Sequence, residues 1–256
     1  TEIYTLSLHD ALPISTLGAG AASGGLVGLP GPACAAGVNA APSPDLRGRS
    51  VWVHVLGCRS NLCEGDFLAG DLEARGALVT RDPEGCSAAV IVSCSVTAEA
   101  DRKCRQAVRR ARRTVGEAGV VAVCGCWAQG AAADEARELG ADILVGNRRK
   151  GELTDALEAM VRDGRAFRDL RSDLLRDRRW EELPAMRPVF HTRAFLKVQE
   201  GCDHFCSYCV IPFLRGRSVS RPADRAIDEA RRLLDAGCRE IVLEVEIGRA
   251  SCRERV

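Results

Sequence analysis

The sequence lacks any uninterrupted apolar run near the roughly 20 residues that a bilayer-spanning helix needs, so no such helix is expected. It also lacks a secretory signal, and it has no surplus of either charge: 36 basic residues face 35 acidic ones, for a formal net charge of +1. That balance excludes an argument for a polyanionic partner from total charge, and leaves only local clusters of basic residues to support one. Thirteen cysteines in 256 residues, several inside apolar runs and none behind a signal peptide, argue against a disulfide-stapled secreted domain. Thiols kept reduced for metal in a soluble, cytoplasmic protein are the expectation. The 46% apolar content is enough for one large core or two modest ones, and the alternation of elements favours two.

Both ends of the chain are set aside. Thr1–Ser15 and Glu246–Val256 read as translated adapter sequence. The Ala/Gly/Pro-rich stretch that follows the first of these reads as disordered, so residues 1–50 are taken as leader and 246–256 as tail. From Val51 the pattern changes. Val51–Leu56, Ala88–Ser93, Val120–Val123 and Ile143–Val145 are short β-branched runs, expected as strands. Asn61–Arg75, Thr97–Arg113, Ala128–Leu139 and Lys150–Val161 have helical length and composition. The fold class is therefore α/β: an open parallel sheet with helices on its faces, over residues 51–165. Residues 166–188, charged and closed by Pro184 and Pro188, read as a linker. A second unit over 189–245 opens with a strand, Ala194–Gln199. A cysteine loop follows, then a helix Pro222–Ala236 and a strand Glu240–Val245, which together make one βαβ unit.

The loop Gly201-Cys-Asp-His-Phe-Cys-Ser-Tyr-Cys209 has the spacing C-x3-C-x2-C directly after a strand. Two chemistries fit that spacing. Cys202, Cys206 and Cys209 can each hold one iron of a [4Fe-4S] cube and leave the fourth iron open. Alternatively, the three thiols with His204, or with a cysteine from elsewhere, can hold a structural zinc. In the first unit Cys58, Cys94 and Cys126 each stand where an expected strand gives way to a helix, and the carboxyl ends of strands in an open parallel sheet converge on one crevice. A lone strand-end cysteine is usually packing; three at converging ends suggest a second metal site. Cys124, two residues from Cys126, is the rival for the third position, while Cys238 reads as a small buried hydrophobe.

These stretches resemble the methylthiotransferase family of radical S-adenosylmethionine (SAM) enzymes. The likeness is carried by Gly57-Cys-Arg-Ser-Asn61, by Cys94 to Gln106, by Cys126-Trp-Ala-Gln129, by the Cys202–Cys209 loop and by its continuation Val210–Pro222. The last of these is similar to the signature behind the family's cluster loop, which favours the cluster over zinc. The resemblance implies two [4Fe-4S] clusters, one held by Cys58, Cys94 and Cys126 and one by Cys202, Cys206 and Cys209. It also implies SAM, with Tyr208 beside its adenine, a reducing electron donor such as flavodoxin or ferredoxin, and a tRNA substrate. The quoted stretches look most like the enzyme that methylthiolates N6-threonylcarbamoyladenosine next to the anticodon, rather than the isopentenyladenosine enzyme. The family extends into a partial (β/α) radical SAM barrel and a small RNA-binding domain, so the chain reads as a fragment, inactive by itself, that holds the start of the barrel. Ser93 departs from the family at its strand end, and Cys63, Cys86, Cys104 and Cys124 match no family role. A non-enzymatic metal-binding module is the competing reading. Finally, the seven cations of Arg102–Arg113 suggest either a phosphate-binding helix or an ordinary solvated face.

Overall fold

The computed structural model describes residues 42–164, 166–184 and 193–245. Most of the expected leader and all of the expected tail lie outside them. The first unit is a six-stranded sheet built from β1 (Ser50–Val55), β2 (Leu78–Thr80), β3 (Ala88–Ser93), β4 (Val120–Gly125), β5 (Ile143–Val145) and β6 (Arg168–Asp169). Its order is β2-β1-β3-β4-β5-β6, and every pairing is parallel. This is the α/β architecture expected. Strands β3, β4 and β5 are buried on both faces, which is why they are continuous apolar runs rather than alternating ones.

The pleat divides that apolar content into two layers. Val90, Val92, Ala122, Cys124, Ile143 and Val145 face one way, against α1 (Arg59–Ala74) and α5 (Leu153–Asp163). Ala89, Ile91, Val121, Val123 and Leu144 face the other way, toward α2 (Ala98–Val115) and the segment of Trp127 and Ala136. Thr97 starts α2 as an N-cap, its hydroxyl accepting from the Ala100 amide at 3.1 Å.

Four details differ from the sequence expectation. The helix expected over Ala128–Leu139 starts earlier and is broken into α3 (Cys126–Gly130) and α4 (Ala133–Glu138). Ala131 and Ala132 between them are extended, and the Ala131 carbonyl bonds Arg171 instead of continuing a helix. Strand β2 was missed because it is a three-residue edge strand, too short for a period to register. Strand β6, in the segment read as a linker, contains no apolar residue and joins the sheet through backbone alone. Residues 43–50, assigned to the leader, are also part of the fold. Ser43 and Gly48 bond the turn after α1, Leu46 is fully buried in the core, and Ser50 pairs in β1.

The second unit contains β7 (Ala194–Lys197), β8 (Gln199–Glu200), α6 (Ile211–Leu214), β9 (Val219–Ser220), α7 (Ala223–Asp235) and β10 (Ile241–Glu244). Strands β7 and β10 pair in parallel across α7, giving the βαβ unit expected. Among the described residues no helix is long and apolar enough to cross a membrane.

Candidate functional site

Strands β1, β3 and β4 are sheet neighbours, so the residues after them share one carboxyl edge. The order reverses between β1 and β3, and in an open parallel sheet such a switch point opens a crevice for a ligand. Cys58 follows β1 there as the N-cap of α1 and is exposed. Cys94 follows β3 and is buried; Cys126 follows β4 as the first residue of α3 and is only 1% exposed. The structure thus brings the three strand-end cysteines to one edge. Gly57 lets the β1–α1 turn lie against Cys94. Its φ is 106°, and a Cβ there would stand 2.5 Å from the Cys94 Cβ and 2.8 Å from its Sγ.

Several side chains to which sequence reasoning gave no structural role organise this edge. Asn61, in the first turn of α1, donates to the carbonyls of Leu56 and Ser93, tying the ends of β1 and β3 together. Ser93 uses its hydroxyl to bond the Cys124 carbonyl and accept from the Ala128 amide, which joins the end of β3 to the β4–α3 turn. Cys104 exchanges hydrogen bonds with the Cys94 backbone, its thiol 3.0 Å from the carbonyl, and burial pushes that thiol up to about 12. Cys124 lies in the core under α1 and α5, where burial likewise raises it to about 12.

The Cys202–Cys209 loop lies between β8 and α6. The Cys202 amide donates to the Gly216 carbonyl at 3.0 Å and the Cys209 amide to the Cys206 carbonyl at 2.9 Å, folding the loop back on itself. Gly201 at φ 74° has no room for a Cβ, which would lie 2.3 Å from the Arg217 carbonyl oxygen. Cys202 and Cys206 are buried and Cys209 is half-buried, whereas Tyr208 is 61% exposed. Phe205, at a φ of 47°, packs edge-on to Phe213 with Arg217 over its ring.

A buried ionic cluster joins this loop to the sheet edge. Glu64 of α1 pairs with Lys150 at 3.0 Å, Lys197 of β7 at 2.9 Å and Arg215 at 2.5 Å. Glu200 of β8 pairs with Arg148, with Lys197 at 2.9 Å and with Arg215 at 3.2 Å. Burial by itself would favour the neutral acids. The surrounding cations outweigh it, holding Glu64 well below the usual carboxylate range and Glu200 at about 2. Three buried cations, Arg148, Lys150 and Arg215, and the half-buried Lys197 thus stand around the two carboxylates, and among the described residues two nitrogens of Arg148, Nε and Nη2, are buried without a hydrogen-bond partner. Arg215 also reaches the cysteines. Its Nε donates to Cys126 Sγ at 3.1 Å and its Nη2 to Asn61 Oδ1, while Asn147 Nδ2 lies 3.4 Å from the same sulfur. Sequence offers little sign of this cluster, since its members come from four separate segments and each looks like ordinary surface charge. The one clue is that Arg215 lies within the stretch behind the cysteine loop.

The basic face of α2 is largely committed within the protein. Arg102 and Lys103 pair with Glu99, Arg105 with Glu135, and Arg110 stacks over Trp52. Arg112 bonds the carbonyls of Gly116, Gly119 and Gly140 and pairs with Asp142. Only Arg109 and Arg113 remain as exposed cations of that run with no such bond among the described residues.

The donor chemistry of the carboxyl edge suits an anionic iron–sulfur group: thiols, a glycine beside Cys94, and the buried guanidinium of Arg215 on Cys126. As placed, no three cysteine, histidine, aspartate or glutamate side chains among the described residues are grouped to hold a metal ion.

Residues 50–146 match the model of the uncharacterized protein family UPF0004. The threonylcarbamoyladenosine tRNA methylthiotransferase of Bacillus subtilis is 34% identical over 194 residues, covering 76% of this chain and 43% of that protein. The tRNA-2-methylthio-N(6)-dimethylallyladenosine synthase of Zymomonas mobilis is 35% identical over 193 residues, covering 75% and 42%. The chain therefore spans less than half the length of these relatives. With its parallel sheet and the cysteines at its carboxyl edge, the chain is similar to these methylthiotransferases over three quarters of its residues, and it carries the UPF0004 match at 50–146.

Proposed function

We propose that this chain is part of a tRNA methylthiotransferase that acts on C2 of N6-threonylcarbamoyladenosine next to the anticodon. The observation that carries the reading is the union of two cysteine triads: Cys58, Cys94 and Cys126 share one sheet edge, and the Cys202–Cys209 loop is docked to that edge through Arg215. In this reading each triad holds one [4Fe-4S] cluster, SAM binds at the Cys202 loop, and an external donor such as flavodoxin or ferredoxin supplies electrons. The bound groups would supply the reducing radical chemistry and the sulfur, chemistry that no side chain provides. The protein's own part is positioning. Exposed Tyr208, next to Cys209, offers a ring face to the SAM adenine, and the Glu64–Glu200 ion cluster holds the two thiol sets in register.

The two relatives are matched almost equally, at 34% and 35% identity, so overall likeness does not choose between their substrates. The choice made here rests on the local pattern Asn61, Thr97–Lys103 and Trp127-Ala-Gln129.

Two experiments test the reading. Anaerobic reconstitution of this chain should load about two [4Fe-4S] clusters, and replacing Cys202, Cys206 and Cys209 together by alanine should leave one. Zinc without sulfide would instead support a structural metal module. In cells lacking the full-length gene, nucleoside mass spectrometry should show threonylcarbamoyladenosine retained and its 2-methylthio form lost. Loss of the methylthio mark from isopentenyladenosine would change the substrate, and no change in either nucleoside would overturn the tRNA reading.

A further inference from the structure

Arg215 belongs to the second unit, yet its side chain is fully buried against the first. Each nitrogen of the guanidinium has a partner on or next to the cysteine edge. Nε donates to Cys126 Sγ at 3.1 Å, Nη2 to Asn61 Oδ1, and Nη1 to Glu64 at 2.5 Å and Glu200 at 3.2 Å. Asn61, so held, spans the ends of β1 and β3, and its Oδ1 lies 3.9 Å from Cys58 Sγ. The next residue along the chain, Gly216, gives its carbonyl to the Cys202 amide at 3.0 Å. One dipeptide therefore touches Cys126 directly, reaches Cys58 through Asn61, and fastens the first cysteine of the other triad.

The Cys126 sulfur receives two N–H groups, from Arg215 and from Asn147, and one of them is cationic. A sulfur so surrounded is one adapted to carry negative charge, because hydrogen bonds from charged donors are the strong ones and are costly to bury without an anionic acceptor. The fork also matters: a lysine could supply the charge between Glu64 and Glu200 but not the separate Nε bond to sulfur.

We propose that Arg215 is a positioning residue by which the second unit sets the orientation and the electrostatics of Cys126 in the first, so that the two cysteine triads form one coupled site. The inference rests on the functional reading above for its cluster readout, and on the metal-free protein for its first test.

In the metal-free 256-residue chain, native-state labelling with iodoacetamide is followed peptide by peptide by mass spectrometry over a range of alkaline pH, and the limiting rates are compared so that they report access to the sulfur rather than its ionisation. Cys126 and the fully buried Cys104 should both be protected in the parent. Arg215→Gln and Arg215→Lys should each raise the labelling rate of Cys126 at least about tenfold, the loss of roughly 1.4 kcal/mol or more of local protection, while Cys104 stays protected. Unchanged Cys126 protection in both variants overturns the proposal. Should Arg215→Gln expose Cys104 as well, Arg215→Lys decides, since it keeps a charge between the two glutamates; exposure of Cys104 there too would make Arg215 a structural residue only.

The second test uses chain in which Cys202, Cys206 and Cys209 are alanine, loaded anaerobically, so that any cluster belongs to the first triad. Removing a cation and an N–H donor from a cluster sulfur disfavours the reduced form. Arg215→Gln should therefore shift the midpoint potential to more negative values, with Arg215→Lys returning part of the shift. An unchanged potential in Arg215→Gln overturns the proposal. A parent that takes up no iron fails the cluster reading instead, and leaves the labelling result to judge Arg215.

Discussion

Gly57 and Cys124 show how much a single position can settle. At φ 106°, with Cys94 only 2.5 Å from where a Cβ would stand, Gly57 combines a backbone conformation that other residues resist with a close approach. Gly57→Ala should destabilise the protein by about 2–4 kcal/mol, from left-handed strain plus overpacking, and should displace Cys94. Urea unfolding measures the first effect and iron uptake the second; a variant as stable as the parent would mean that the β1–α1 turn relaxes freely. Cys124 illustrates the opposite case. It lies two residues from Cys126, yet it points into the core under α1 and α5, and burial drives its thiol up to about 12. A thiol held neutral at physiological pH is a poor ligand, because metals bind the thiolate. Cys124→Ala should leave iron uptake unchanged, and a drop by one cluster would transfer the ligand role to it. Spacing along the chain cannot separate these two cysteines; the end of β4 does, because Gly125 at φ 98° turns the chain and Cys126 starts α3 while Cys124 stays in the sheet.

At the scale of elements, α2 is the clearest instance of one charge pattern serving two ends. Seven cations on three turns resemble a phosphate-binding face. In the fold, Arg112 instead crosses to the β4 and β5 ends, bonding three carbonyls and Asp142 while largely shielded from solvent. Arg112→Ala should cost about 2–3 kcal/mol, because it leaves Asp142 and those carbonyls short of a charged donor. Arg109→Ala and Arg113→Ala, at exposed positions, should fall within about 0.5 kcal/mol of the parent. Denaturant titration of the three variants tests the ranking, and equal costs would return Arg112 to the solvated face. Between α3 and α4, Gly130 lies so close to Leu214 of α6 that a Cβ would sit 3.0 Å away, a contact with the second unit that no pattern along the chain signals.

At the scale of the whole molecule, the ionic cluster makes the union of the two units depend on pH. Glu200 is held at about 2, below its ordinary value near 4.5, because Lys197, Lys150, Arg215 and Arg148 outweigh the burial that opposes its charge; Glu64 moves in the same direction. A carboxylate with a depressed folded pKa contributes stability that is fully present above about pH 4.5 and is lost as pH falls toward 2. The docking of the Cys202 loop on the sheet edge should accordingly loosen over that window. Native-state proteolysis between the units, read at pH 5 and pH 3, should show faster cleavage at the lower value, and Glu64→Gln should show that sensitivity already at pH 7. Equal cleavage at both values would mean that apolar contacts alone hold the units together.

The α/β class, the four long helices α1, α2, α5 and α7, the central strands and the two cysteine spacings were legible in the sequence. These are local signals: β-branched runs buried on both faces, helical periods, and thiols at the ends of elements. What it left open has a common cause. Strand β6 has no apolar pattern, and it exists because its backbone completes the edge of β5. Leu46 lies in a stretch without periodicity and is buried because the turn after α1 accepts it. Glu64, Lys150, Glu200 and Arg215 look like surface residues one by one, and become a site only because the sheet edge and the second unit bury them against each other. Charge is legible along a chain, but whether a charge is solvated or paired in the interior is decided by residues distant in sequence, and that decision belongs to the tertiary structure.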